Sequence, residues 1–167
     1  MIKFMRSFGL IMLGAILLSA CSSTFSEDKK EADEAVQTAF ESKPAQSNNS
    51  TKDIDYHLPF GVEVKEEKPN NVLLKNSSRT YILFYNQHEN SDSKVVYDST
   101  IKQHKEWDAN ATYNDDGKFG YMLVKKVKED HYQLIVGIGG VKLTTETDSI
   151  QKDAETMMSI ANSVNLK

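Results

Sequence analysis

The sequence is poor in cysteine, and this absence limits what the folded part can do. Cys21 is the only cysteine among 167 residues. The chain can therefore form no internal disulfide, and residues 22–167 can offer neither a thiolate metal cluster nor a thiol nucleophile. Long hydrophobic runs are scarce as well. The apolar stretch Phe8–Leu18 is shorter than the about 20 residues that a membrane-spanning helix needs, so it is not expected to be a permanent anchor.

The first 20 residues have the organisation of an export signal. Lys3 and Arg6 precede an uncharged stretch that ends in small residues. An ordinary signal-peptidase site has small residues one and three positions before the cut, whereas Leu18 is bulky. The sequence Leu18-Ser19-Ala20-Cys21 instead resembles the lipobox of bacterial lipoproteins. This resemblance implies cleavage between Ala20 and Cys21 and a diacylglyceryl thioether on Cys21. The alternative is a cysteine that lies by chance in a signal peptide.

A lipid on Cys21 would hold the mature protein on a membrane, since two acyl chains bind more stably than one. Removing residues 1–20 takes away Lys3 and Arg6 and leaves 18 basic and 24 acidic residues, a net charge of −6. That charge argues against nucleic acid as a partner and against a polybasic membrane patch. The composition, rich in Lys and Asn and low in Pro, favours a Gram-positive bacterium. The expected location is the outer face of its cytoplasmic membrane; in a Gram-negative host, Ser22 would fit transport to the outer membrane.

Residues 21–53 are expected to form a lipidated flexible stem, an amphipathic helix and a linker. Between Glu27 and Ser42 apolar residues recur every three or four positions, and Thr24 and Glu27 could form a capping box. The narrow apolar face of this helix could dock on its own domain, bind a partner or lie near lipid headgroups. The segment 43–53, with its proline and its Asn and Ser run, is typical of a linker.

Residues 54–167 are expected to form one domain with several antiparallel strands. Val62 and Val64 alternate with charged residues, as in a half-buried strand. Two pairs of β-rich runs predict hairpins: 71–75 with 80–85, and 119–127 with 131–138. Along the second strand of the second pair, the apolar residues Tyr132, Leu134, Val136 and Ile138 alternate with other residues, which predicts one buried face.

The remaining segments are expected to complete the sheet and cover it. We expect a strand that leads into a short helix over 95–107, a turn at 114–117, and a further strand at 141–143 after a bulge or close backbone approach at Gly139 and Gly140. Thr147 or Asp148 could cap a long C-terminal helix. Its apolar stripe contains Ile150, Ala154, Met157, Met158, Ala161 and Val164.

These elements predict an α+β domain in which a sheet of about six antiparallel strands packs against the C-terminal helix. From the Leu58–Gly61 turn to Val164, their order resembles the Mog1/PsbP-like group. That resemblance implies a binding or assembly module, and no functional residue carries over from it.

No catalytic, cofactor or metal site is predicted. The Ser-x-x-Lys spacing occurs four times, which indicates chance, and its companion motifs are missing. The histidines are scattered singly, and Gly137–Gly140 is followed by a strand-like segment rather than by the helix that a phosphate loop needs. The oxygen-rich stretch 108–116 lacks the closing Glu of a calcium loop and favours a hydrated turn. The histidines are His57, His88, His104 and His131.

The function predicted from these features is that of a non-enzymatic, membrane-tethered binding or accessory module for a protein or envelope component. The alternative is a domain that binds a small ligand or a cell-wall precursor, which requires a pocket of about 300 Å³ or more between sheet and helix.

Overall fold

The computed structural model describes residues 25–167. Their three helices are α1 (Phe25–Glu41), α2 (Val95–Ile101) and α3 (Ile150–Ser163). Their ten strands are β1 (Asn49–Ser50), β2 (Ile54–Tyr56), β3 (Val62–Lys68), β4 (Asn71–Asn76), β5 (Arg79–Tyr85), β6 (Ala109–Asp115), β7 (Lys118–Lys128), β8 (His131–Ile138), β9 (Val141–Thr147) and β10 (Asn165–Leu166). The lipobox and Thr24, with its predicted capping box, lie outside the described residues.

The predicted α+β class is confirmed, with a larger sheet than expected. Seven antiparallel strands form one sheet in the order β3-β4-β5-β9-β8-β7-β6, and a small sheet has the order β1-β2-β10. Helix α3 has 14 residues, which corresponds to about 21 Å and is an ordinary length rather than a long one. The segment expected to be a linker contributes β1, whose Asn49 and Ser50 pair with Tyr56 and Asp55.

Both predicted hairpins are confirmed. Strands β4 and β5 pair up to Asn76 and Arg79, and β7 and β8 pair up to Lys128 and His131. Each is closed by a tight turn in which one residue, Ser77 or Asp130, takes a positive φ. Side chains alternate between the two faces of each strand, so the residues on one face of both hairpins pack into a common core.

The main core lies between one face of the large sheet and the helices α1 and α3. Helix α1 buries Ala32, Val36 and Phe40 there. Of the three alternatives for this helix, docking on its own domain is therefore the one the structure shows. The side chains that fill the interface between α3 and the sheet are fully buried; they include Leu134, Val136, Leu143, Ala154, Met157 and Met158.

Helix α2 covers part of the opposite face of the sheet. Phe119, Tyr121, Leu123 and Ile135 form a second apolar cluster beneath it. Three half-buried residues pack against that cluster: Tyr97, Ile101 and Trp107. The strand predicted to begin this segment was wrong, because Val95 and Val96 already belong to α2. Packing against the aromatic cluster outweighs the strand preference of valine.

The expectation of a hydrated turn across residues 108–116 was wrong for most of the stretch. Ala109–Asp115 is strand β6, paired with β7, and only the predicted turn around Asp116 and Gly117 remains. The buried positions Ala109 and Tyr113 alternate with exposed polar residues. Pairing with β7 thus outweighs the turn preference of Asn and Asp.

The glycine pair and the helix cap also differ in detail. Gly139 and Gly140 form the tight turn between β8 and β9 rather than a bulge, and the close backbone approach is confirmed: a Cβ at Gly139 would lie 2.2 Å from the carbonyl oxygen of Asn90. The N-cap of α3 is Ser149 rather than Thr147 or Asp148. Thr147 ends β9, and its hydroxyl oxygen accepts the Ser149 N–H at 2.8 Å.

Candidate functional site

The C-terminal end of α1 is fastened to the domain by polar contacts. Asn162 on α3 donates from its amide to the carbonyl oxygens of Ala39 and Ser42, at 3.0 and 2.9 Å. Lys118 on β7 donates to the Asn162 side-chain oxygen at 3.2 Å and lies 5.3 Å from the centre of the Phe40 ring. A cation and an amide donor thus meet the partial negative charge of the helix end.

The rest of α1 is held by aromatic residues of the sheet. Phe25 stacks on Tyr132 with ring centres 5.2 Å apart. The Tyr113 hydroxyl donates to Asp33 at 2.5 Å, and burial together with that carboxylate raises the pKa of Tyr113. Phe40 lies so close to Gly120 that a Cβ there would be 2.7 Å from the ring. The helix is therefore an integral part of the fold.

A buried ionic network joins β5, β9 and the first turn of α3. Asp153, which is 2% exposed, accepts from Arg79 Nε at 2.7 Å and from the Tyr81 hydroxyl at 2.7 Å. It also accepts from Thr147, while Arg79 forms a second ion pair with Asp148. Both carboxylate oxygens of Asp153 are thus occupied. These contacts position the start of α3. We interpret the network as structural, because neither oxygen of Asp153 is left to act on a bound molecule.

The strands β3, β4 and β5 have one face that no described helix covers. This face continues onto β9 as far as Lys142, which contacts Thr100 of α2, and we call it the open face. Its apolar centre is Ile82, which is 46% exposed, flanked by the half-buried Leu73 and Phe84. Ile82 is the cross-strand partner of both Leu73 and Thr144, so these side chains share one face. Two shallow hollows of about 240 and 410 Å³ meet at Ile82.

Lys142 gives the open face a cation beside its apolar centre. This half-buried side chain lies 5.5 Å from the centre of the Phe84 ring and 3.5 Å from the Thr100 hydroxyl. Burial lowers the pKa of Lys142. Within residues 25–167 no carboxylate forms an ion pair with it. Tyr121 lies in the same cross-strand row as Lys142, with Gly137 between them. Its buried hydroxyl has no hydrogen-bond partner among residues 25–167.

A separate cleft of about 450 Å³ lies between the C-terminal ends of α1 and α3 and the loop 86–91. Its walls combine apolar side chains with Lys118 and Asn162. The apolar lining residues are Pro44, Ile138, Val141, Ala161, Val164 and Leu166.

The structure does not bring the predicted polar candidates together. His57 bonds the Gln46 carbonyl, and His104 bonds Gln133 and packs on Trp107. His88 is exposed in a turn, and His131 is exposed at the start of β8. Among residues 25–167, no three His, Cys, Asp or Glu side chains converge as metal ligands.

The oxygen-rich stretch is likewise spread along β6. Asp108 at one end accepts from the Lys126 N–H at 2.7 Å and pairs with Lys125 at 3.3 Å. These contacts lower the pKa of Asp108. Asp116 lies in the turn beyond the other end of the strand.

The open face and its lysine were not predicted from the sequence. A signal for them existed in the alternation of Ile82 and Phe84 with buried residues along β5, but the pairing of β5 with β9 that brings Lys142 beside them is not local. The predicted lipidation site, Cys21, and the cleavage position after Ala20 lie outside the described residues. No helix within residues 25–167 is long and apolar enough to span a bilayer. Neither protein-family models nor curated proteins match this chain.

Proposed function

We propose that this protein is a lipid-anchored, extracytoplasmic binding module that docks a protein partner on its open face. The anchor rests on the lipobox at residues 18–21, and the non-enzymatic role rests on the absence of predicted catalytic motifs in the sequence. The binding role is carried by one observation: an exposed apolar centre at Ile82 lies beside Lys142, a half-buried cation without a carboxylate partner among the described residues.

The chemistry of the open face selects the partner. Burying Ile82 and its neighbours removes apolar area from water, which contributes about 25 cal/mol per Å². An acidic side chain next to an apolar one on the partner would pair with Lys142, and a charge pair of that kind adds specificity as well as affinity. The partner is therefore a protein that presents an apolar residue beside a carboxylate.

The anchor is tested by labelling cells with a radioactive fatty acid. The wild type and Ser22→Ala should incorporate label and remain in the membrane fraction, whereas Cys21→Ala should do neither. Label that persists in Cys21→Ala would place the lipid elsewhere and refute the anchor.

The binding face is tested by photo-crosslinking in intact cells with benzoylphenylalanine at position 82. We expect one discrete adduct that disappears when Lys142→Glu is added and persists with Lys43→Glu, a matched reversal of an exposed lysine outside the open face. An adduct that is insensitive to Lys142→Glu, or one formed only from Thr38 on the exposed side of α1, would refute this assignment.

A second candidate function is favoured by the 450 Å³ cleft, whose volume lies in the range of small-molecule sites. In this case native mass spectrometry of protein extracted from its membranes should show added mass that is lost on denaturation. Asn165→Trp, which narrows the exposed rim, should remove it. A wild-type protein without added mass would refute this candidate.

A further inference from the structure

The distance between the proposed lipid and the folded domain is set by very little chain. Three residues, Ser22, Ser23 and Thr24, separate Cys21 from Phe25, the first described residue of α1. Fully extended, the four steps along the chain from Cys21 to Phe25 span at most about 14 Å. Phe25 itself is fixed, because its ring stacks on Tyr132 and α1 is docked along its whole length. The lipid must therefore lie close to the end of the sheet where Phe25 packs.

That end of the sheet is the β7–β8 hairpin. Tyr132 is the cross-strand partner of Lys126, so the hairpin tip at residues 127–130 lies next to the Phe25 stack. The register shifts between Lys126 and Lys128, and this bulge leaves Val127 56% exposed. An exposed valine flanked by two exposed lysines can place its methyl groups among lipid headgroups while the lysine stems lie along the surface.

We propose that the β7–β8 hairpin faces the bilayer in the anchored protein and forms a second, protein-borne contact with its lipid. The proposal rests on lipidation of Cys21, as given under the proposed function. The contact between the hairpin and the bilayer follows from the short chain between Cys21 and Phe25 more than from charge, because Glu129 and Asp130 balance the charges of Lys126 and Lys128. The contact should therefore form on zwitterionic and anionic bilayers alike.

This orientation determines what the protein presents to its surroundings. Helix α1 has 17 residues and is about 25 Å long. It begins beside the hairpin and ends at Lys118 and Asn162, so the cleft at that end points away from the membrane. If α1 were free, the domain could move on a tether that extends to residue 53. With α1 docked, only the three residues 22–24 separate Cys21 from the fold.

The test uses the full lipidated protein with one added cysteine, since the sulfur of Cys21 is alkylated and does not react. Val127→Cys carries an environment-sensitive NBD label at the hairpin. Val95→Cys is the matched control, because Val95 is 55% exposed at the opposite end of the strands, next to Lys94, whose ammonium lies 4.9 Å from the Phe119 ring. Both are reconstituted in phosphatidylcholine vesicles that carry a nitroxide-labelled headgroup lipid, with and without phosphatidylglycerol.

We expect quenching of the Val127 label to exceed that of the Val95 label several-fold in both lipid mixtures. Equal quenching at the two positions, or stronger quenching at Val95, would overturn the orientation while leaving the anchor intact. Mass spectrometry of Cys21 in the same sample distinguishes a wrong orientation from a missing lipid anchor. An unmodified sulfur there would overturn the anchor and the orientation together.

Discussion

The docking of α1 can be tested by a double-mutant cycle at the contact between Phe40 and Gly120. Phe40 is 1% exposed, and its ring lies 5.8 Å from that of Tyr113 and directly over Gly120. Phe40→Ala removes a buried phenyl group, and such truncations cost about 3–5 kcal/mol of unfolding free energy. At a urea m-value of about 2 kcal/mol/M, a loss of about 4 kcal/mol lowers the unfolding midpoint by about 2 M.

The second variant of the cycle adds a single methyl group. Gly120→Ala would place its Cβ 2.7 Å from the Phe40 ring, closer than side chains tolerate, and overpacking of this kind costs about 1–3 kcal/mol. In the Phe40→Ala background the ring is absent, so the added methyl group meets open space. The double variant should therefore be more stable than the sum of the two losses predicts, by about 1–3 kcal/mol.

The assay is urea unfolding of the chain from Ser22 onward, followed by circular dichroism and by the fluorescence of Trp107. Thr38→Ala, on the exposed side of the same helix, is the control and should shift the unfolding free energy by no more than about 0.5 kcal/mol. If Phe40→Ala and Thr38→Ala unfold at the same midpoint, α1 is not part of the cooperative fold. If the losses simply add, the contact with Gly120 is not made.

Two further predictions concern the core and the acid response. Met157→Asp places an unpaired charge at a fully buried position, so it should lower the unfolding free energy by several kcal/mol. Lys152→Asp on the exposed side of α3 is the control and should not have this effect. A melting temperature of Met157→Asp equal to that of the wild type would show that Met157 is not in the core. The pKa of Asp108 is lowered in the fold, so its stabilising effect is present above pH about 4 and is lost as the pH falls below that value. Asp108→Asn should therefore weaken the loss of stability in acid, measured by thermal unfolding from pH 7 to pH 2, and an acid slope equal to that of the wild type would contradict this role of Asp108.

Local patterns predicted the parts of the fold that depend on neighbours in sequence. The β7–β8 hairpin follows from alternation along the strand at Tyr132 and Leu134 and from a short polar turn, and both signals act within a few residues. Helix α3 follows from its apolar stripe. The β7–β8 hairpin and helix α3 would bury the same side chains in almost any fold, because the pattern that selects those side chains is local.

The parts that the sequence did not predict are those decided by distant partners. Val95 and Val96 favour a strand, yet they lie in a helix because Tyr97 and Ile101 pack on aromatic residues of β7. Strand β6 is rich in turn-forming residues and is a strand because β7 offers it an edge. The pairing of β5 with β9, which creates the open face, joins residues about 60 positions apart, and no local signal marks it.

The same non-local packing changes how a tethered module would work. With α1 free, the domain could sample partners far from the bilayer. With α1 docked, three residues would join the proposed lipid to the fold, and the strands would lead away from the membrane, starting at the hairpin end. In the proposed orientation the open face would point sideways along the membrane rather than outward, and the distance of Ile82 from the hairpin end would be limited by the length of the strands. If the proposed orientation holds, a partner that pairs with Lys142 would have to bring its acidic and apolar groups to within about 25 Å of the lipid surface, which is the length of one 17-residue helix. An extracytoplasmic segment of another membrane protein meets that requirement, whereas a freely diffusing protein would have to approach the bilayer first.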